Sequence, residues 1–416
     1  VARAGLARPL LAGLGLAVAL GAATSLLQTY GVRTDLFSLN RAPGGTLGNR
    51  NFVAHLAAFG LPVLLLCALR AYRAPGFLLG AVGVALSAGT LVLTRSRAAY
   101  LALAAVLAVL LLGTMIVRPV RRSGRVLGRF VTVLGLAGAG VAAAVALPNT
   151  LRWRTETPYA ETVRGVVNYQ EGSGRGRLVQ YRNSLRMAAS SPLLGVGPGN
   201  WAVVYPEFAS RRDPSMDREV AGITSNPWPS SDWVAFLSER GVPAFVLLVL
   251  ALAGLALSAW RRMLSARDAD EGLLALALLA TLGAVATVGA FDAVLLLALP
   301  TLLVWAALGA LAPAVEMRPA RAAPALRAGV LLLAALAAGA SAARSAAQIA
   351  AMDLYAGGGG REALERAARL DPGNYRVRLR LARNSRSTAS RCEHALAARE
   401  LYPSAGAAKR AAAGCD

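Results

Sequence analysis

Long apolar runs broken by short basic connections set the pattern of this chain. Runs of membrane-spanning length, roughly 17–25 residues, fall at about 9–27, 52–69, 76–93, 98–117, 130–147, 242–259, 273–290, 293–312 and 328–350. They predict an all-α polytopic membrane protein with about nine transmembrane helices, a long loop carrying short helices, and a small helical C-terminal tail. The first run is too long for the apolar core of a signal peptide and lacks a cleavage site, so it reads as a membrane helix. The chain begins at Val1, which leaves room for helices upstream.

The polar connections orient the spans. Arg70 and Arg73 separate spans two and three; Arg118, Arg121, Arg122, Arg125 and Arg129 separate four and five. Arg261, Arg262 and Arg267 separate six and seven; Arg318, Arg321 and Arg327 separate eight and nine. Arg3 and Arg8 precede the first span. Cationic connections stay in the cytoplasm, so these alternate turns are expected on that side. Residues 28–50, the turn 94–97, the segment 148–241, the turn near 291–292 and the tail from 351 are then expected outside. The domains read as 1–147 (helices one to five), 148–241 (outer substrate loop), 242–350 (helices six to nine) and 351–416 (tail). Arg95 and Arg97 in "TRSR" break the charge rule in a short turn. Either they snorkel to outer phosphates, or they serve a site.

Composition sharpens this picture. Of 416 residues, 56% are hydrophobic, and the formal net charge is +22. Nearly every cation is arginine; Lys409 is the single lysine. Part of that bias is what a GC-rich genome produces, so each arginine has to be weighed by its position. A basic chain attracts nucleic acid, anionic lipid or phosphate-bearing substrates; in a membrane protein the lipid and substrate readings lead, and no nucleic-acid partner is expected. Cys67 reads as a small core residue in span two. Cys392 and Cys415 fall in the tail, where they either pair or remain two free thiols. "REALERAARL" and "YRVRLRLAR", on either side of "DPGN", predict two amphipathic helices similar to one or two tetratricopeptide units.

The outer segment holds the candidate chemistry. It carries Trp153, Tyr159, Tyr169, Trp201, Tyr205, Phe208, Trp228 and Trp233, an aromatic content that argues against disorder. Residues 177–190 predict a helix that places Arg177, Tyr181 and Ser184 on one face and Arg182 and Arg186 on another. Pro192 ends it. Gly195, Gly197 and Gly199 follow, then Asn200 and Trp201. Such a glycine run forms a tight turn, and its N–H groups are also able to bind an anion. Arginine matches phosphate oxygens with a planar two-donor fork.

Four blocks, in order, are "GTLGNRNFVAHL" (45–56), "TRSRAAYLAL" (94–103), "RLVQYRNSLRMAASSPLLGVGPGNW" (177–201) and "SDWVAFLSERGVPAFVLLV" (231–249). Together they resemble the O-antigen ligase and O-antigen polymerase superfamily over roughly residues 40–260. The resemblance implies a metal-independent inner-membrane glycosyltransferase that works at the periplasmic face and needs no cofactor. It moves a glycan from an undecaprenyl-diphosphate carrier to a hydroxyl on lipid A core, another glycan or a protein. Arg97 and Arg177 match the family's two arginine motifs and become candidates to stabilise the departing diphosphate, with Arg95 and Arg182 as helpers. Alternatively, Arg177 pairs with Glu171 or Glu207. Tyr181, Gly195, Gly197, Gly199, Asn200, Tyr205 and Glu239 are candidate substrate contacts.

One departure stands out. The family's pattern "His-Asn-x-x-Leu-x-x-Leu-x-Glu-x-Gly" ends here at Glu239 and Gly241, which puts Ser230 in the histidine slot and Ser231 in the asparagine slot. His55 sits in span two and His394 in the tail, so neither replaces it by sequence position. Asp232 is the candidate base, or else the N-cap of a helix over 233–240. The missing histidine leaves three functional readings: a divergent ligase or polymerase, a transporter or flippase of lipid-linked sugars, and an inactive scaffold of the same fold. The tail offers a surface for polysaccharide-assembly proteins.

Overall fold

In the computed structural model, the described residues are 6–37, 42–166, 168, 172–210, 212–293, 295–312 and 323–415. They are helical throughout, apart from connections and an isolated bridge between Met216 and Thr224. In chain order the helices are α1 (Ala7–Thr29), α2 (Arg50–Arg70), α3 (Ala74–Thr94), α4 (Arg97–Ile116), α5 (Arg118–Arg122), α6 (Gly124–Ala146), α7 (Pro158–Arg164), α8 (Gly172–Ser190) and α9 (Trp201–Phe208). There follow α10 (Asp232–Leu264), α11 (Ala269–Phe291), α12 (Ala298–Leu311), α13 (Ala323–Ala356), α14 (Arg361–Leu370), α15 (Tyr375–Asn384), α16 (Thr388–Leu401) and α17 (Gly406–Ala412). Contacts divide the chain into two units, residues 1–195 with 228–314 and residues 196–227 with 315–416.

Among the described residues, eight helices are long and apolar enough to cross a membrane: α1, α2, α3, α4, α6, α10, α11 and α13. The ninth expected span, 293–312, is a correction. It yields only α12, with 14 residues, or about 21 Å at 1.5 Å per residue, short of a ~30 Å hydrocarbon layer. The residues before it are apolar but not helical. Two of the amides there meet carboxylates: Ala293 N donates to Asp292 Oδ1 at 2.9 Å and Leu295 N to Asp232 Oδ1 at 2.8 Å. Arg318 and Arg321, expected in the connection after α12, lie outside the described residues, as do Arg3, Tyr169 and Glu171.

In the first unit α2 is the most enclosed of the membrane-length helices, with α11 next. α2 packs against α1, α3, α4 and α11, and α3 packs against α6. These helices are apolar on every side, as a helix must be when it faces protein on one side and lipid on the other. One end of the unit is tied by charge. At the C-terminus of α2, Arg70 forms a two-pronged ion pair with Asp270 at the start of α11.

α10 is two helices joined at a kink. Gly241 adopts φ 78°, ψ 173° there, in a region open only to glycine. The kink frees the amide of Val242, which donates to Pro192 O at 2.7 Å. The turn after α8 docks on this break so closely that a Cβ on Gly195 would sit 2.3 Å from the Glu239 carbonyl carbon.

The second unit buries Ala351, Leu364, Ala367, Val377 and Leu381 between α13, α14 and α15. Asn374 caps α15, accepting from the amides of Arg376 and Val377. Leu379, Ala398, Tyr402 and Ala408 form a second cluster that takes in Val203 and Ile223. Tyr402 OH donates to Ala202 O at 2.6 Å, and Cys392 is disulfide-bonded to Cys415.

Candidate functional site: an arginine cavity at the helix ends

Three local folding decisions aim arginines at one place. In "GNRN", Gly48 takes a left-handed φ of 73° and Asn49 caps α2 by accepting from Asn51 N at 2.9 Å. Arg50 is therefore the first residue of α2, with Asn51 beside it. In "TRSR", Arg95 closes α3 in a left-handed conformation (φ 55°), the one positive φ at a non-glycine among the described residues. Ser96 then starts α4, with Arg97 as its first residue. A non-glycine residue held this way stores about 1–2 kcal/mol, and such strain gathers at functional sites. Finally, α8 carries Arg177 on its inward side.

These arginines line a cavity of about 620 Å³ together with Arg152, Trp153 and Arg154 of the connection after α6, and Glu161 and Thr162 of α7. Among the described residues its walls hold six guanidinium groups (Arg50, Arg95, Arg97, Arg152, Arg154 and Arg177) and one carboxylate, Glu161. The volume lies within the ~300–1,000 Å³ of small-molecule sites. Arg50 and Arg97 also sit at helix N-termini, where the aligned backbone dipoles add partial positive charge.

Neutral groups do most of the orienting. Arg95 Nε donates to Thr162 Oγ1 at 2.9 Å, while Glu161 Oε2 is 3.7 Å from its Nη2. Arg97 Nη1 donates to the Asn168 carbonyl at 3.1 Å. The Trp153 ring lies between two cations, with Arg50 at 5.2 Å and Arg95 at 4.9 Å from its centroid. Its indole N–H is buried without a hydrogen-bond partner among the described residues. Arg177 enters no ion pair among the described residues. Of its two proposed carboxylates, Glu171 lies outside them.

The structure thus brings together Arg95, Arg97 and Arg177 of the candidates read from sequence. Tyr181 and Asp232 sit deeper, where α10 begins and α11 ends. Tyr181 OH is 2.7 Å from the carbonyls of both Ser230 and Ala290. Ser231, not Asp232, is the cap of α10; its hydroxyl accepts from Val234 N and donates to Gly289 O. Asp232 is the first helical residue, 1% exposed, and its Oδ2 would lie 2.9 Å from a Cβ on Gly289.

The remaining candidates do not line the cavity. Arg182 is exposed. Glu239 is buried beside Arg240, at 3.4 Å. Gly195 N donates to Ser191 O, so that amide is not on offer to an anion. In the other unit, Gly197 and Gly199 both have positive φ, and Asn200 precedes α9 with its side chain donating to Val196 O. Tyr205 is fully buried against Trp201, and its hydroxyl donates to Asp213 Oδ2 at 2.7 Å.

Arg50, Asn51, Arg152 and Arg154 are not singled out by the sequence, and Trp153 stands there only as one of the outer segment's aromatics. "GNRN" was in view as a motif, but its second and third polar residues carried no known role. By sequence position His55 is also set aside. In the structure Asn51, on the cavity wall, donates to Asp292 Oδ2 at 3.3 Å, and that same oxygen is 3.5 Å from His55 Nε2.

Comparison with known proteins agrees with the resemblance over its last three blocks. No curated protein matches the chain. A family model does, over residues 82–249, described as Wzy_C: O-Antigen ligase. The matched stretch contains Arg95, Arg97, Arg152, Arg154 and Arg177, and over it the chain is similar to the O-antigen ligase family.

Proposed function

We propose that the protein transfers a glycan from an undecaprenyl-diphosphate carrier to a hydroxyl acceptor without a metal ion, as an O-antigen ligase or a surface-polysaccharide polymerase. One observation carries this reading: Arg95, Arg97 and Arg177 converge, with three further arginines and one carboxylate, on a single cavity of about 620 Å³. When the glycosyl–phosphate bond breaks, negative charge builds on the leaving diphosphate. Fixed cations aimed at that charge lower the barrier, and they cost no reorganisation at the moment of reaction. Planar guanidinium forks also grip phosphate oxygens in pairs.

The reading places the protein in the bacterial inner membrane, with the cavity at the periplasmic face. The connections at the opposite helix ends, around Arg70, Arg121, Arg122, Arg261 and Arg262, carry the basic charge expected of a cytoplasmic side. The Cys392–Cys415 disulfide supports an oxidising compartment for the tail. A transporter binds its cargo near the bilayer midplane, whereas these arginines cluster at helix ends. The tail's paired helices suit a role in holding other polysaccharide-assembly proteins.

The test is the glycan profile of cells that lack the protein, complemented with wild type or with Arg177→Ala. Full-length glycan should stay on the lipid carrier, or appear as single repeat units, in both the deletion and the variant. A normal surface-glycan profile in the deletion strain would refute the proposal.

A further inference from the structure

The family's histidine slot holds Ser230, and the nearby Asp232 is poorly placed to replace it. Its carboxylate is 1% exposed and is engaged by the Leu295 amide. A group that takes a proton from an incoming hydroxyl has to be reachable from the cavity. Another carboxylate lies next to the cavity wall and is less enclosed. Asp292 follows directly on α11; its side chain is 16% exposed, and Asn51 of the cavity wall holds its Oδ2 at 3.3 Å. Its Oδ1 accepts from the Ala293 amide at 2.9 Å, which fixes the rotamer.

Behind that carboxylate stands His55. Its ring is 1% exposed, and its Nε2 faces Asp292 Oδ2 at 3.5 Å without a hydrogen-bond partner among the described residues. Buried imidazole nitrogens that serve only the fold are hydrogen-bonded as a rule. This one faces a carboxylate that is itself held by Asn51 of the cavity wall. Arg177 lies within electrostatic reach of the same ring.

Resting on the glycan-transfer reading above, we infer that Asp292 receives the acceptor's proton and that His55 is its positioning residue, so that an imidazole from α2 stands in for the one missing at position 230. The acceptor oxygen bonds to the anomeric carbon while the bond from that carbon to the phosphate oxygen breaks. The electron pair leaves with the diphosphate, among the arginines. The hydroxyl proton goes to Asp292, is shared with His55 Nε2, and returns to water as the diphosphate departs.

The test uses purified full-length protein added to membranes from cells that lack it, which supply donor and acceptor. Release of undecaprenyl diphosphate is followed as the donor concentration is varied. General-base contributions run to about 10²–10⁴-fold, so Asp292→Asn should lower kcat by roughly a hundredfold or more while KM for the donor stays put. His55→Gln keeps a polar group facing Asp292 but is unable to take a proton; it should lower kcat about tenfold, again with KM unchanged. Binding of inorganic pyrophosphate, measured beside it, should be retained in both variants. The inference fails if both variants keep kcat while Arg177→Ala abolishes transfer, or if Asp232→Asn loses more than Asp292→Asn. Loss of pyrophosphate binding in His55→Gln and in the smaller His55→Asn alike also overturns it, since His55 would then belong to the scaffold. If Arg177→Ala itself transfers at the wild-type rate, it is the glycan-transfer reading that falls.

Discussion

Arg177 and Arg182 lie five positions apart on α8, about 140° round a helix of 3.6 residues per turn. One lines the cavity and the other is exposed. Replacing each with glutamine removes a charge while keeping a polar side chain of similar reach, so the pair isolates position from chemistry. A hydrogen bond to a charged group contributes about 1.5–3 kcal/mol, and ~1.4 kcal/mol is tenfold in affinity. Arg177→Gln should therefore weaken binding of inorganic pyrophosphate roughly 10- to 150-fold, without abolishing it, because five guanidinium groups remain on the walls. Arg182→Gln, a solvated surface charge, should change affinity by no more than about twofold, in line with the small effects of exposed charges. Isothermal titration calorimetry on the full-length protein in detergent measures both. The Arg177 effect should shrink in high salt, as the screening length falls from about 10 Å at 0.1 M to about 3 Å at 1 M. Equal losses at the two positions would mean that bulk charge, not the cavity, governs binding. A marked fall in the ligand-free melting temperature of Arg177→Gln would mean that Arg177 is a structural partner, and the site assignment would be wrong.

Other outcomes test the surroundings. Gly195→Ala should destabilise the protein clearly more than Gly199→Ala in thermal unfolding: both pay about 1–2 kcal/mol for a left-handed alanine, but only at Gly195 would the new Cβ meet backbone, 2.3 Å from Glu239 C. Equal melting temperatures would refute the docking of this turn on the α10 kink. Cys392→Ser opens a link between residues 23 apart, worth about 3 kcal/mol by loop entropy, and should speed hydrogen exchange in α16 and α17 under oxidising conditions. Burial holds the His394 imidazole below its ordinary value of 6.5. The unfolded tail therefore binds more protons than the folded one just below pH 6.5, and exchange protection of α16 should be full above that pH and fall as the pH drops beneath it. A flat profile in His394→Asn beside a sloping wild type would confirm the assignment.

Much of the fold is written in hydrophobic run length, because a bilayer demands about the same length of every helix. α12 escaped that logic. Its run is apolar enough, but the helix starts only at Ala298, and the Leu295 amide before it is held by Asp232, a contact between distant positions that is invisible in a one-dimensional window. The cavity was half legible. Arg95 and Arg97 announced themselves by breaking the charge rule, and Arg177 by its place in a motif. Arg50, Arg152 and Arg154 looked like ordinary members of an arginine-rich chain, and only the meeting of α2, α6 and α8 sets them apart. His55 was dismissed on sequence distance. A histidine in an apolar run reads as a satisfied core residue until the partner at position 292 comes into view, 237 positions away.

The two ends of the helical unit use arginine in opposite ways, and the contrast bears on what the cavity is for. At one end Arg70 is matched by Asp270 in a two-pronged, partly exposed pair. At the other end, a single cavity is lined, among the described residues, by one carboxylate and six guanidinium groups. They are steered by a hydroxyl, a backbone carbonyl and an indole face, groups that fix direction and leave the charge intact. Mutual repulsion among them costs stability, and Arg95 adds backbone strain. Carboxylates matched to these arginines would have removed that cost had the fold been their only purpose. Arg97 and Arg177 enter no ion pair among the described residues, and on the proposed reading they hold a field ready for the negative charge of a departing diphosphate.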